Sequence, residues 1–253
     1  MKADKRKAFI SFITAGDPSL KATEDLVLEF EKSGVDIIEL GVPFSDPMAD
    51  GPTIQASSQR ALKHHVSLQN ILDLVKRLRK KTDIPIALMT YYNPVFHYGE
   101  EKFVRQAVQS GVDGVIIPDL PPEEAQSLIK FARQYDLATI FFLAPTTRPH
   151  RIKKIVQAST GFIYYVSLTG VTGARTSIPA DVTQKIKAAA QVTEKPICVG
   201  FGVSTVQQVK AMAKIADGVI VGSAIVNAIS STNKAQLTAR VGRFVKDLVK
   251  GVR

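Results

Sequence analysis

Eight apolar, β-branched-rich runs punctuate this chain, at residues 8–14, 35–40, 84–91, 112–118, 137–143, 161–167, 196–200 and 216–221. They are continuous rather than alternating, which is the pattern of strands covered on both faces, as in parallel sheets. Amphipathic stretches separate them at 20–32, 68–80, 101–109, 123–135, 151–158, 182–191 and 206–213, and a last helix is expected over about 234–250. Eight strand–helix units in 253 residues predict an α/β fold: one (β/α)8 TIM barrel, residues 1–253 as a single domain, with a short extra helix after strand 8. An open doubly wound sheet would need protected edge strands, and none of the runs is polar enough to be one.

Local signals fit that division. Asp17-Pro18 reads as an N-cap followed by proline at the first helical position. Ser204 and Gln207 have capping-box spacing. Gly34 and Gly111 fall where a helix hands over to the next strand. The segments Ser33-Gly-Val-Asp-Ile-Ile, Ser110-Gly-Val-Asp-Gly-Val-Ile-Ile and Ala216-Asp-Gly-Val-Ile-Val are weakly self-similar and mark the same junction each time.

Composition excludes several functions. No apolar run approaches the roughly 20 residues of a membrane-spanning helix. The basic N-terminus runs straight into a strand-like segment, so no secretory signal is expected. A single cysteine, Cys198, rules out an internal disulfide and favours a reducing, cytoplasmic compartment. With four histidines and that one cysteine, no metal-ligand spacing occurs, and no metal is expected. The net charge of +10 comes from clusters at 76–81, 148–154 and 240–253. They lie in helix-like stretches without aromatic interleaving, so they read as solvated outer faces rather than a nucleic-acid surface.

The chemistry concentrates in Glu39-Leu-Gly-Val-Pro-Phe-Ser-Asp-Pro-Met-Ala-Asp50-Gly-Pro52. Glu39 stands in an apolar run at a strand's carboxyl end, where barrels place their active sites. A carboxylate there costs free energy unless it is paired, protonated or in use. Asp50 follows in the loop. On the opposite rim, Gly200-Phe-Gly202 follows strand 7 and Gly222-Ser223 opens a short helix-like stretch after strand 8. Glycines there let main-chain N–H groups hold a phosphate without Lys or Arg, and Gly173 in the preceding loop is placed to close over it. No Walker-type Gly-Lys-Ser/Thr occurs.

Together ELGVPFSDPMADGP (39–52), LMTYYNPVFHYG (88–99), PDLPPEE (118–124), YYVSLTGVTGAR (164–175), GFGVS (200–204) and GSAIV (222–226) resemble the tryptophan synthase alpha subunit family, in order and spacing over essentially the whole chain. The resemblance implies retro-aldol cleavage of indole-3-glycerol phosphate to indole and glyceraldehyde 3-phosphate, with no cofactor in this chain. It implies Glu39 and Asp50 as the catalytic carboxyls. It places Tyr164 and Thr172 beside them, Phe12, Ile54, Met89, Ile116 and Phe201 around the indole, and Gly173, Gly202, Gly222 and Ser223 on the phosphate. It implies a beta subunit carrying pyridoxal phosphate, in an α2β2 tetramer, met by residues 43–50, 93–98 and Pro121. Glu39 is expected to move protons and Asp50 to stay ionised in its polar loop, while Asp119 is expected to hydrogen-bond its own Leu-Pro-Pro loop. His97 stands where the family commonly has an amide, and the chain is more basic than many relatives.

Three other readings share some of these residues. Phosphoribosyl isomerases and indole-glycerol phosphate synthase share the glycine motifs but do not require the Glu39/Asp50 spacing, and Lys195 is at the wrong strand end for the synthase. A non-catalytic barrel that only activates a beta subunit is the third possibility.

Overall fold

The computed structural model describes residues 6–166, 180–200 and 202–253. Its strands are β1 (Ala8–Thr14), β2 (Ile37–Gly41), β3 (Ile86–Met89), β4 (Gly114–Ile116), β5 (Ala138–Ile140), β6 (Phe142–Leu143), β7 (Ile163–Val166), β8 (Ile197–Gly200) and β9 (Gly218–Val221). Its helices are α1 (Leu20–Lys32), α2 (Pro52–Leu62), α3 (Leu68–Leu78), α4 (Tyr92–Tyr98), α5 (Glu100–Ser110) and α6 (Gln126–Gln134). There follow α7 (Pro149–Ala158), α8 (Ala180–Ala190), α9 (Val206–Ala213), α10 (Ser223–Ser230) and α11 (Leu237–Val249), the last preceded by a 3-10 turn at Lys234–Gln236.

All strand pairings are parallel, in the order β5-β4-β3-β2-β1-β9-β8-β7-β6. The two ends of that order, β5 and β6, are separated in the chain only by Phe141. They are halves of one barrel strand, the first hydrogen-bonded to β4 and the second to β7. Phe141 bridges the break, its carbonyl accepting the Tyr164 N–H at 3.1 Å. The sheet therefore closes, with eight barrel strands as the apolar runs predict, and α10 is the extra helix expected after the last of them.

In-register partners on parallel strands point to the same side, which sorts the residues into two layers. Ile10, Ala87, Ile116, Ile140, Tyr164, Cys198 and Ile220 fill the interior as one buried cluster. Phe9, Ile13, Leu40, Leu88, Val115 and Val219 point outward into the larger core beneath the helices. Strands buried on both faces explain why no run alternates.

The repeated Gly-Val-Asp junction has a physical cause. Asp36 donates its N–H to the Phe9 carbonyl at 2.9 Å, and its carboxylate accepts the Phe9 N–H at 2.8 Å. Asp113 does the same to Ile86, at 2.9 and 2.7 Å, and Asp217 to Ile197, at 2.8 and 3.0 Å. Thr160 is the fourth member: its N–H reaches the Thr139 carbonyl and its hydroxyl accepts the Thr139 N–H, both at 2.9 Å. One clamp therefore joins β1 to β2, β3 to β4, β5 to β7, and β8 to β9. Each satisfies an N–H at the amino end of every second barrel strand (β1, β3, β5 and β8), before pairing with the next strand begins.

Several local expectations change. Helix α1 is capped by Ser19, whose side chain accepts the Ala22 N–H. Asp17 is buried and bound bidentately by Arg60 at 2.9 and 2.7 Å, so its carboxylate is not free to cap. The capping box of α9 is Thr205 with Gln208, one residue beyond the expected pair. Two helices, α2 and α4, stand where the sequence reads as loop. Gly34 and Gly111 do terminate α1 and α5, with φ of +91° and +90°.

Candidate active site

Glu39 is the third residue of β2 and pairs in register with Phe12 on one side and Ala87 on the other. Its side chain points into the barrel with Phe12, Ile37 and Gly41, and it is fully buried. Neither carboxylate oxygen has a hydrogen-bond partner among the described residues. Desolvation first, and the negative field of Asp50 second, push its pKa up to about 8. Glu39 is thus a carboxylic acid at neutral pH, carrying a proton with no internal acceptor.

Asp50 lies one residue before Gly51, the N-cap of α2, whose first helical residue is Pro52. The positive end of that helix dipole adjoins it. Its pKa is raised to about 6, chiefly by burial, and the opposing influence is a hydrogen bond from Tyr91. This corrects the expectation of a polar loop that keeps Asp50 ionised. The site is substantially dry, and a specific donor offsets part of the cost. Asp50 remains mostly an anion at pH 7, so the two carboxyls differ in protonation, the usual arrangement of an acid and a fixed charge.

Tyr91 was not legible as a site residue. It follows β3, is 4% exposed, and stacks on Phe44 with ring centroids 5.3 Å apart. Its hydroxyl accepts the Ala49 N–H at 2.9 Å. Asp119 serves this neighbourhood rather than its own loop: its carboxylate accepts the Tyr92 N–H at 2.9 Å, at the start of α4.

Tyr164, on β7, is buried inside the barrel against Phe142, with ring centroids 4.8 Å apart. Burial first, then the charge of Glu39, holds its phenol far above the usual range, which places Tyr164 within the field of Glu39. A Cβ at Gly200 would lie 2.9 Å from the Tyr164 ring, so that position must be glycine. Met89 and Ile116 are in-register neighbours on the interior of β3 and β4. Phe12 lies over Gly41 and Gly222, where a Cβ would meet its ring side chain at 2.6 and 3.4 Å. Ile54 is half-buried in the first turn of α2.

The glycine turns expected to hold an anion lie at the carboxyl ends of β8 and β9. Helix α10 starts at Ser223 behind Gly222 and has no side-chain cap. The Ile225 and Val226 N–H groups turn back to the Gly222 carbonyl at 2.8 and 3.0 Å. First-turn N–H groups have no acceptor within a helix, so those of Ser223 and Ala224 are available to an anion. Gly202 has φ +61°, and among the described residues nothing lies within 4 Å of the position its Cβ would take. Phe12 packs against Gly222 and pairs in register with Glu39, so it lies between the Glu39 carboxyl and the Gly222 turn. Thr172, Gly173 and Phe201 lie outside the described residues. Among the described residues, no helix is long and apolar enough to cross a membrane, and no group of three acidic, His or Cys side chains is arranged to hold a metal ion.

The family model described as tryptophan synthase alpha chain matches residues 1–253. A tryptophan synthase alpha chain of Geotalea uraniireducens is 54% identical over 247 residues, 98% of this chain and 92% of its own. The crystal structure of tryptophan synthase subunit alpha from Legionella pneumophila superposes with a TM-score of 0.92 at 37% identity, covering 99% of this chain and 94% of that one. A chain of the tryptophan synthase complex from Pyrococcus furiosus superposes with a TM-score of 0.88 at 38% identity, covering 97% of this chain and 99% of that one.

Proposed function

The chain belongs to the tryptophan synthase alpha chain family, and we propose that Glu39 and Asp50 are the carboxyls that carry its reaction. That reaction is the cleavage of indole-3-glycerol phosphate to indole and glyceraldehyde 3-phosphate, a carbon–carbon lyase step in tryptophan biosynthesis. The observation that carries the assignment is the fully buried carboxyl of Glu39 inside the barrel, which has no hydrogen-bond partner among the described residues and whose pKa burial raises to about 8.

The steps balance on this pair. Glu39 gives its proton to indole C3, which makes the ring an indoleninium and leaves Glu39 as a carboxylate. That carboxylate takes the proton of the adjacent glycerol hydroxyl. The O–H electrons become the aldehyde C=O, the C–C electrons return to the ring, and Glu39 ends as it began. Asp50 accepts the indole N–H and stabilises the ring's positive charge. Closure over a dry site makes that charge pair stronger than it would be in water. The phosphate rests on the Gly222–Ser223 turn and Gly202, while Phe12, Ile54, Met89, Ile116 and Tyr164 enclose the ring. Thr172, Gly173 and Phe201 keep the roles that the family resemblance gives them.

The chain works with a beta subunit in an α2β2 complex, and pyridoxal phosphate belongs to that partner. The exposed side chains of Met48 and Phe96, 84% and 68% accessible, lie on the two segments assigned to the contact, which supports that assignment. We place the protein in the cytoplasm, in keeping with its one buried cysteine.

The test is indole release from indole-3-glycerol phosphate, followed by absorbance with and without the beta subunit. Glu39→Gln is expected to lower turnover by roughly 10²–10⁴, the contribution of a positioned acid–base group. Turnover near wild type would remove Glu39 from the proton path.

A further inference from the structure

Gly41 is the last residue of β2. It lies two positions beyond Glu39 on the same interior face, about 7 Å nearer the mouth. It is extended strand without a positive φ, so conformation does not call for glycine here. Space does. A Cβ on Gly41 would stand 2.6 and 2.8 Å from Cζ and Cε2 of Phe12, well inside van der Waals contact. Phe12 pairs in register with Glu39, and its ring leans from there into the place that a side chain at 41 would fill. The ring therefore forms the wall beside the Glu39 carboxyl on its mouth side.

The surroundings leave that ring no second seat along the wall. The Gly41 main chain is held: its carbonyl accepts the Ala15 N–H at 2.9 Å, and the Val42 N–H donates to the Met89 carbonyl at 2.8 Å. At the root of Phe12, a Cβ on Gly222 would already meet Phe12 Cβ and Cδ1 at 3.4 Å. Strand β1 is paired to β2 on one side and to β9 on the other, so a displaced ring has only the barrel interior to enter. A methyl group at 41 requires roughly 1 Å of such movement before ordinary contact is restored.

We propose that Gly41 is a specificity-determining residue: its bare position on β2 seats the Phe12 ring against the wall and so sets the width of the aromatic ring that reaches Glu39. The proposal rests on the reading of Glu39 as the proton carrier and of Phe12 as part of the ring enclosure. Gly41 touches no reacting atom and acts through Phe12. One methyl group more or less in an apolar pocket discriminates between substrates by roughly 10–200-fold, and a shift of about 1 Å in positioning costs up to about a hundredfold in rate.

The test compares indole-3-glycerol phosphate with its analogues methylated at ring positions 4, 5, 6 and 7, using the full-length chain with its beta subunit. Gly41→Ala is expected to lower kcat/KM for the parent roughly tenfold, and for at least one methylated ring by roughly tenfold more. Phe12→Leu draws the wall back, so the ratio for that same isomer should move the other way. Combining the two substitutions should return the ratio toward its wild-type value. An equal loss on every ring, with the ratios unmoved, would mean that Gly41 serves only the packing of the strand and would overturn the proposal. Should Gly41→Ala fail to fold, Phe12→Leu decides alone, and an unmoved ratio there overturns the proposal equally. Failure of the wild-type complex to cleave the parent would remove the functional reading and this proposal with it, whereas parent cleavage with unmoved ratios removes the proposal alone.

Discussion

Replacing Glu39 by Gln should make the protein more stable, and increasingly so as the pH rises. In the unfolded chain Glu39 gives up its proton near 4.5, and in the folded chain it holds the proton to about 8. Between those values folding takes up one proton, so this group lowers stability by about 1.4 kcal/mol for each pH unit gained. Relative to a side chain that cannot ionise, the cost is about 1 kcal/mol at pH 5, about 3 at pH 7, and levels off near 5 above pH 8. Gln has the same shape and no titration, so the difference between variant and wild type isolates this term while other groups cancel. Any constant cost of burying the amide shifts every value equally and leaves the slope intact. Urea unfolding at pH 5, 7 and 8.5 measures the difference directly. At pH 7 it corresponds to a rise in Tm of roughly 6–12 °C for a chain of this size. A difference that stays flat from pH 5 to pH 8 would refute the reasoning. Glu39 would then titrate alike in both states and could not hold a proton for the reaction.

Three further outcomes are expected. The wild-type kcat/KM should be bell-shaped, with limbs near 6, where Asp50 gains a proton, and near 8, where Glu39 loses one; a plateau from pH 5 to pH 9 would exclude this division of roles. Gly222→Asp has room for its Cβ, which would meet Phe12 at 3.4 Å, yet should raise KM roughly a hundredfold, since like charges about 5 Å apart at an effective dielectric of about 20 repel by about 3 kcal/mol. An unchanged KM returns the glycine to a plain turn. Asp36→Ala should cost roughly 2–3 kcal/mol in urea unfolding, because it orphans the Phe9 N–H and the Arg6 guanidinium 2.7 Å away; Thr160→Val, which removes a neutral acceptor, should cost about 1 kcal/mol, and equal losses would refute the charge-assisted clamp.

What the sequence displayed depends on where each residue's partner lies. The strands were legible because burial on both faces makes them uniformly apolar. Glu39 was legible because a charge inside such a run is anomalous. Helix α2 was hidden because the face it buries is Ser57, Ser58 and Ala61, not large apolar residues. Ser57 settles against β1 through a hydroxyl pair with Thr14 at 2.6 Å, which no hydrophobic period records. Helix α4 buries only Val95 and carries no period at all. Three clamp residues showed as a repeated aspartate, but Thr160 performs the same bond with another side chain. Tyr91 escaped because nothing near it in the chain marks it out. Its partner Ala49 is 42 positions earlier and reaches it only when the loop after β2 folds back across the rim.

With Glu39 and Asp50 as the proposed catalytic carboxyls, stability and catalysis fall at opposite ends of the same strands. At the amino ends, each acid or hydroxyl of the clamps satisfies a main-chain N–H. At the carboxyl ends, Glu39 and Asp50 are held where burial disfavours their charge, with pKa values of about 8 and 6. Both would relax if the mouth were wetter, but the difference between their proton affinities would then vanish. Two fully solvated carboxyls, with values near 4, are both ionised at neutral pH, and neither can protonate a ring carbon. The dry mouth thus produces the acid, and the clamped base of the barrel supplies rigidity against which both costs can be borne.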